Sequence, residues 1–149
     1  MNYAKVRDIS VDEIPVIDVS GLEGGDDRQL RTVADQMVRA AESIGFFYVR
    51  GHGVSRDMLD ETYTLSQTFF QSPDDVKDRV AVSGGHRGWL RIGEARMEGS
   101  ERFDLKESFI WGLDVPPEDP DVIAGDRLLA VNRWPATPSG MRDVFNRYF

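Results

Sequence analysis

The chain has 149 residues, 40% of them hydrophobic and 30% charged, which is the composition of an ordinary folded domain large enough to bury a core. Its net charge of −8 argues against nucleic acid or an anionic membrane as a main partner, because both demand a basic face. Without cysteine there is no disulfide framework, thiol nucleophile or thiolate zinc site.

In chain order, the opening MNYAKVRDIS lacks the apolar stretch of a secretory signal, and no later run approaches the roughly 18 apolar residues of a membrane span. A cytoplasmic setting is the expectation. Ile14 to Val19 reads as a short strand, followed by a glycine-rich loop. Leu30, Val33, Ala34, Met37, Val38, Ala41 and Ile44 then recur with the period of one helix face, so the spacing predicts a continuous helix from Asp27 to Ile44. Asp26 or Asp27 suits its N-cap and Gly45 the residue just past its end. Phe46 to Val49 reads as a strand. Ser55 is placed to cap a helix in which Leu59, Thr62, Tyr63, Ser66, Phe69 and Phe70 share a side. Ser72-Pro73-Asp74-Asp75 opens another helix, with proline expected at the first helical position. Residues 83–104 read as a long loop, Ser108 to Trp111 as a third strand, residues 114–127 as surface loop, and Pro138 to Phe149 as helix.

The segment Gly51-His52-Gly53 follows a strand and precedes a helix, so it is open to three readings: a phosphate loop, a metal site or a turn. A dinucleotide loop needs a third glycine where Arg56 stands, and arginine there obstructs close helix–strand packing. No Walker motif is present. For a metal site, His52 and His86 are the two histidines, and neither has a carboxylate two residues on or a second histidine at i+4. Asp74 with Asp75 offers no more than a weak surface cation site. Glu118, Asp119, Asp121 and Asp126 lack the alternating spacing and closing glutamate of a calcium loop. No GxSxG or Ser/His/Asp arrangement supports a nucleophile.

A set of short motifs says more. Ile14-Pro-Val-Ile-Asp-Val19 and Ala41 to Val54, with AESIGFFYVRGHGV, come first. Phe69-Phe70 with Pro73 and Lys77, then Arg87-Gly88-Trp89, then Asp104-Leu-Lys-Glu-Ser-Phe109 with Gly112, and Asn132-Arg-Trp-Pro135 follow. One such tetrapeptide is weak; the ordered series resembles the N-terminal region of the isopenicillin N synthase-like family of non-haem iron(II), mostly 2-oxoglutarate-dependent, oxygenases.

The resemblance implies an α+β region that, in that family, packs on and extends a double-stranded β-helix, or jelly roll. The barrel itself is expected to be mostly absent from this chain, making 1–149 an incomplete N-terminal dioxygenase domain. It implies an oxidoreductase acting on a small molecule by hydroxylation, desaturation or oxidative cyclisation. Fe(II) and 2-oxoglutarate are expected as cofactors of the longer enzyme, held there by HxD…H and RxS motifs that residues 1–149 do not contain. The chain alone is therefore expected to bind neither and to be inactive. A non-catalytic interaction module with the same N-terminal fold is the alternative, and a nucleotide-binding protein a further one.

The resemblance also makes His52 a turn residue. It places Arg87 and Trp89 in a segment that reaches over the mouth of the active site, where a guanidinium can clamp a substrate carboxylate. The plain reading is an exposed loop arginine and a packing tryptophan. Asn132 either borders the substrate pocket or caps a turn. Lys106 and Glu107 read as a structural pair. Aromatic residues from Phe46 to Trp111 supply apolar area worth several kcal/mol at roughly 25 cal/mol per Å². Part of that area is expected to stay exposed, with unpaired strand edges that invite self-association.

Overall fold

The computed structural model describes residues 10–22, 24–83, 85–95, 99, 101–126 and 129–149. The N-terminal stretch read above, 1–9, and parts of the two expected loops, at 84, 96–98, 100 and 127, lie outside the described residues. The chain divides into two compact units, Met1–Gly53 and Val54–Phe149.

In the first unit a single 3-10 turn, Val11–Glu13, leads into β1 (Val16–Asp18), α1 (Asp27–Ser43) and β2 (Tyr48–Arg50). α1 starts where the sequence asks it to. The Asp26 carboxylate accepts from the backbone N–H of Arg28 (3.0 Å) and Gln29 (2.8 Å), and the Gln29 side chain accepts from Asp26 N–H (3.1 Å), a reciprocal capping box. β1 and β2 pair in parallel with Val16 opposite Tyr48 and Asp18 opposite Arg50. Ile17 alone of β1 is buried, and with Val33 and Ala40 it forms a thin core that Val19, Met37 and Phe47 close over.

Two expectations fail here. The strand after α1 begins at Tyr48, so Phe46 precedes it and is 57% exposed. The buried stripe of α1 is Val33, Met37 and Ala40, whereas Leu30, Ala34, Val38 and Ala41 face outward. The apolar stripe is wider than the two-stranded sheet that receives it.

After β2 the backbone turns sharply, with Gly51 and Gly53 at φ of 72° and 77°. A side chain at Gly51 would meet Ser20 Cβ at 2.7 Å and Asp18 Oδ1 at 2.9 Å, so the position needs glycine on both counts.

The second unit contains α2 (Arg56–Phe70), α3 (Asp74–Asp78), β3 (Gly88–Leu90), β4 (Ser108–Ile110), α4 (Pro120–Ile123) and α5 (Met141–Tyr148). Ser55 caps α2, its hydroxyl accepting from Met58 N–H at 3.2 Å. Pro73 is the N-cap of α3 rather than its first helical residue. Tyr63 points out, 65% exposed, against the expected inward face of α2.

The loop expected over 83–104 contains β3, which pairs antiparallel with β4 in the register Gly88–Ile110, Trp89–Phe109 and Leu90–Ser108. Trp89 also exchanges backbone bonds with the other side, its N–H donating to Val80 O and its carbonyl accepting from Val82 N–H, both at 2.8 Å. The loop expected over 114–127 contains α4, opened by Asp119, whose carboxylate accepts from Asp121 N–H at 2.9 Å.

The core of this unit is Phe69, Val80, Trp89, Met141, Val144 and Phe145. Phe109, Trp111 and Trp134 pack round it, with ring centroids 5.0 Å apart for Phe69–Phe109 and 4.9 Å for Trp111–Phe145. Each such ring buried contributes roughly 2 kcal/mol, and the edge-to-face Phe69–Phe109 pair adds a further increment. No helix among the described residues is long and apolar enough to cross a membrane.

Candidate functional site

Motif residues scattered along the sequence meet in the second unit, in two polar networks. The first surrounds Trp89. Lys77 is 5% exposed, and its Nζ donates to Glu107 Oε2 (2.9 Å) and to the Phe70 carbonyl (3.3 Å), with Asp74 at 3.3 Å. Trp89 Nε1 donates to the same Glu107 oxygen at 2.7 Å, and the Lys77 ammonium lies 4.8 Å from the centre of the Trp89 ring. Burial disfavours the charged amine, and the hydrogen bonds and charge of Glu107 and Asp74 outweigh it, so the Lys77 pKa is raised. A buried ammonium satisfied on all sides is a cross-link between α3, β3 and the entry to β4. Lys106 does not join Glu107; it pairs with Asp104 at 3.0 Å.

The second network centres on Asp114. Its carboxylate accepts from Arg142 Nε (3.0 Å) and Nη2 (2.7 Å), from Asn146 Nδ2 (2.9 Å), and from Asn132 Nδ2 and Trp134 Nε1 (both 3.3 Å). Burial alone would push this carboxyl up; the donors from Arg142, Trp134, Asn132 and Asn146 reverse that and hold it at about 2. Asn132, 8% exposed, also brackets Gly112, accepting from its N–H at 3.0 Å and donating to its carbonyl at 2.8 Å.

Arg87 lies just before β3, after a tight turn in which His86 N–H donates to Ser83 O at 3.1 Å and His86 itself takes a φ of 51°. Its Nη1 reaches the carbonyls of Gly85 (3.4 Å) and His86 (3.3 Å). A Cβ at Gly112 would sit 2.8 Å from Arg87 Nη2, so glycine there makes room for the guanidinium. Arg87 and Asn132 line one cavity of about 290 Å³ together with Ser83, Gly85, Ala130, Val131 and Arg133. A second, of about 330 Å³, shares Gly85, Ala130 and Val131 and adds His86, Leu129 and Asp126.

Trp89 does not line the Arg87 cavity; it is 2% exposed, in the core behind it. Asn132 both borders the cavity and ties down a turn. Arg133 and Ser83 belong to the cavity without any motif role in the sequence reading. Arg133 Nη1 donates to Ser83 Oγ at 2.9 Å and Nη2 to the Arg79 carbonyl at 3.2 Å. The one hint in the sequence is that no acid stands three or four residues from Arg133 on either side.

A larger cavity, about 540 Å³, lies in the first unit between the β1–α1 loop and the start of α1. Its acids are already engaged, Asp18 with Ser20 (Oγ, 2.6 Å) and Arg50 (3.0 Å), and Asp26 with the α1 backbone. The Asp18 carboxyl is held below its ordinary range chiefly by the Ser20 hydroxyl and N–H. This first-unit cavity is wide and open to solvent, and the cavity at Arg87 is the better candidate because two motif residues, Arg87 and Asn132, meet there.

Among the described residues no group of three or more histidine, aspartate or glutamate side chains is placed to hold a metal ion. A facial two-histidine, one-carboxylate iron site needs three such donors on one side of the metal. The described residues do not fit it.

A family model described as non-haem dioxygenase in morphine synthesis N-terminal matches residues 14–137. A 2-oxoglutarate-dependent dioxygenase of Didymella fabae is 38% identical over 105 residues, covering 69% of this chain and 32% of that protein. A homoarginine-6-hydroxylase of Arabidopsis thaliana is 29% identical over 148 residues, covering 91% of this chain and 40% of that one. The chain thus spans well under half the length of these relatives. Among solved structures, a full-length Neurospora crassa protein in complex with alpha-KG and thymine superposes with a TM-score of 0.68 at 22% identity, over 94% of this chain and 44% of that one. That likeness speaks for the fold.

Proposed function

The chain belongs to the N-terminal family of non-haem dioxygenases, and from that premise we propose that it is the N-terminal part of an Fe(II)- and 2-oxoglutarate-dependent oxygenase. The observation that carries this reading is the pair of networks in the second unit. Lys77, Trp89 and Glu107 form one, and Gly112, Asn132 and Trp134 join the other, so the motifs that mark the family are the cross-links of the scaffold.

Residues 1–149 form an incomplete dioxygenase domain in this proposal. The metal and the co-substrate are held by groups outside them, since no donor triad converges among the described residues and neither HxD nor RxS occurs in the sequence. The reaction is hydroxylation, desaturation or oxidative cyclisation of a small molecule. Arg87 and Asn132 wall part of the substrate site, with Trp89 behind them as its support.

β1 and β2 extend the sheet of a jelly roll in the longer protein. Val16 and Tyr48, 59% and 56% exposed, offer the apolar side for that contact, and for self-association when it is unmet. The proposal includes a cytoplasmic setting, in keeping with a chain that has no cysteine.

The test is retention of Fe(II) and 2-oxoglutarate in equilibrium dialysis. A protein extended through an HxD…H segment retains both, and the 149-residue chain retains neither. Retention of both by the short chain would overturn the proposal.

A further inference from the structure

We propose that the outward stripe of α1 is the seam of a homodimer, along which a second copy of this chain lays its own α1 in the opposite direction. Leu30, Ala34, Val38 and Ala41 make the stripe, and all four are exposed, Val38 to 53%. They follow one another at helical spacings of four, four and three residues, so they lie on one face. That face borders Val33, Met37 and Ala40, which the core of the unit takes up.

The stripe is complementary to itself when two helices run antiparallel. Pairing α1 about Gln36 sets Leu30 against Ala41 of the second copy and Val38 against its Ala34, so each larger side chain meets a small one. Ala34 and Ala41 stand seven residues apart, two turns along one face, which lets the helix axes approach to about 8 Å.

Charge fixes the direction. Arg31 and Glu42 edge the stripe on the same side, eleven residues apart, and both are exposed. Antiparallel helices bring like flanks together, so the same alignment sets Arg31 against Glu42 of the second copy, and two-fold symmetry repeats the pair. A parallel arrangement would oppose arginine to arginine and glutamate to glutamate. Arg31 is available for this contact, because its pairing with Asp27 is a loose one, 3.7 Å long on the open helix surface. At a net charge of −8 two copies repel at long range, so a face with matched charges is the one that holds them. α1 has 17 residues and is about 25 Å long, so the seam is small and the dimer weak and concentration-dependent.

The experiment has two arms, both with the whole chain carrying Tyr48→Ser, so that association through the open sheet does not contribute. In the first, sedimentation equilibrium over a concentration series measures the dimer. Arg31→Glu and Glu42→Arg are each expected to weaken it about tenfold, since each turns two attractive contacts into two repulsive ones. The two changes move the net charge in opposite directions, so a general charge effect would move their affinities apart. Both place charge favourably for the dipole of α1, so the helix is retained. The double variant, or an equal mixture of the two single variants, is expected to recover the dimer.

The second arm uses the absence of cysteine, which makes any introduced thiol the one thiol of the chain. Leu30→Cys and Ala41→Cys are oxidised separately and as an equal mixture. In the antiparallel seam each thiol lies about 15 Å or more from its own counterpart, too far for a disulfide, whereas the two kinds face each other. The mixture is therefore expected to cross-link several-fold more than either variant alone.

A monomer throughout the concentration series overturns the proposal and leaves the stripe to another occupant, such as a following segment in a longer protein. Cross-linking of each single variant as readily as the mixture overturns it too, and so does an unchanged dimer in either charge variant. None of these outcomes bears on Fe(II) retention, so the seam and the oxygenase reading stand or fall separately.

Discussion

The two units solve the same problem with unequal means. Val54–Phe149 buries six large or medium apolar residues around Trp89 and Phe145 and locks them with two polar networks. Met1–Gly53 buries Ile17, Val33 and Ala40, and it leaves Val16, Val38, Phe46 and Tyr48 more than half exposed. A lone pair of short strands is marginal in water without further strands or a broad apolar face. The difference teaches where the stability of this chain resides, and which surface still has area to give.

The sharpest way to break the comparison is at Phe69, which is fully buried. Phe69→Ala is expected to cost about 3–5 kcal/mol. All three tryptophans, Trp89, Trp111 and Trp134, lie in the second unit, so tryptophan fluorescence during urea unfolding reads that unit. A cost under about 1 kcal/mol would mean its core is not the one described.

Next comes Glu107→Ala, which takes from the Lys77 ammonium its nearest acceptor, leaving Asp74 and the Phe70 carbonyl, and strands the Trp89 indole N–H. Removing one partner of a largely buried pair costs about 3 kcal/mol, read as a lower urea midpoint with unchanged slope. Lys77→Met with Glu107→Leu is expected to recover part of that loss, since the apolar pair leaves no uncompensated charge while the Trp89 N–H stays unpaired.

Asp114 supplies a dependence on pH. Its folded carboxyl sits at about 2 against an ordinary value of 3.8. The folded value is the lower one, so the stabilisation is complete above the ordinary value and is lost as pH falls through about 2. The gap is worth about 2 kcal/mol at neutral pH. Wild type minus Asp114→Asn stability should therefore be near that figure at neutral pH and shrink to nothing in strong acid; a difference independent of pH would remove Asp114 from its role.

The smallest effect belongs to the first unit. Tyr48→Ser should change unfolding by no more than about 0.5 kcal/mol while lowering the sedimentation-measured tendency to associate. A large loss of stability would show that Tyr48 is not the open surface residue described.

How much of this the sequence discloses depends on whether the signal is local. α1 and α2 are legible because Asp26 and Ser55 cap them and a helical period follows. β3 is not: three residues, one of them glycine, are too short to show a period, and its strand geometry comes from pairing with Val80 and Phe109, outside its own segment. The outward half of the α1 stripe misleads for a related reason, since periodicity reports that a face is apolar and not what covers it. At the site, Arg87 and Asn132 are legible through their motifs. Ser83 and Arg133 are not, because their contact joins segments 50 residues apart.

The central claim, that these residues are the scaffold part of an oxygenase whose metal ligands lie elsewhere, is most directly tested by succinate formation. The assay supplies Fe(II), ascorbate, 2-oxoglutarate and candidate small-molecule acids to the 149-residue chain and to a protein extended through an HxD…H segment. Succinate is expected from the extended protein alone. Turnover by the short chain, sustained after repurification and abolished by chelator, would contradict the account and require a metal site within residues 1–149.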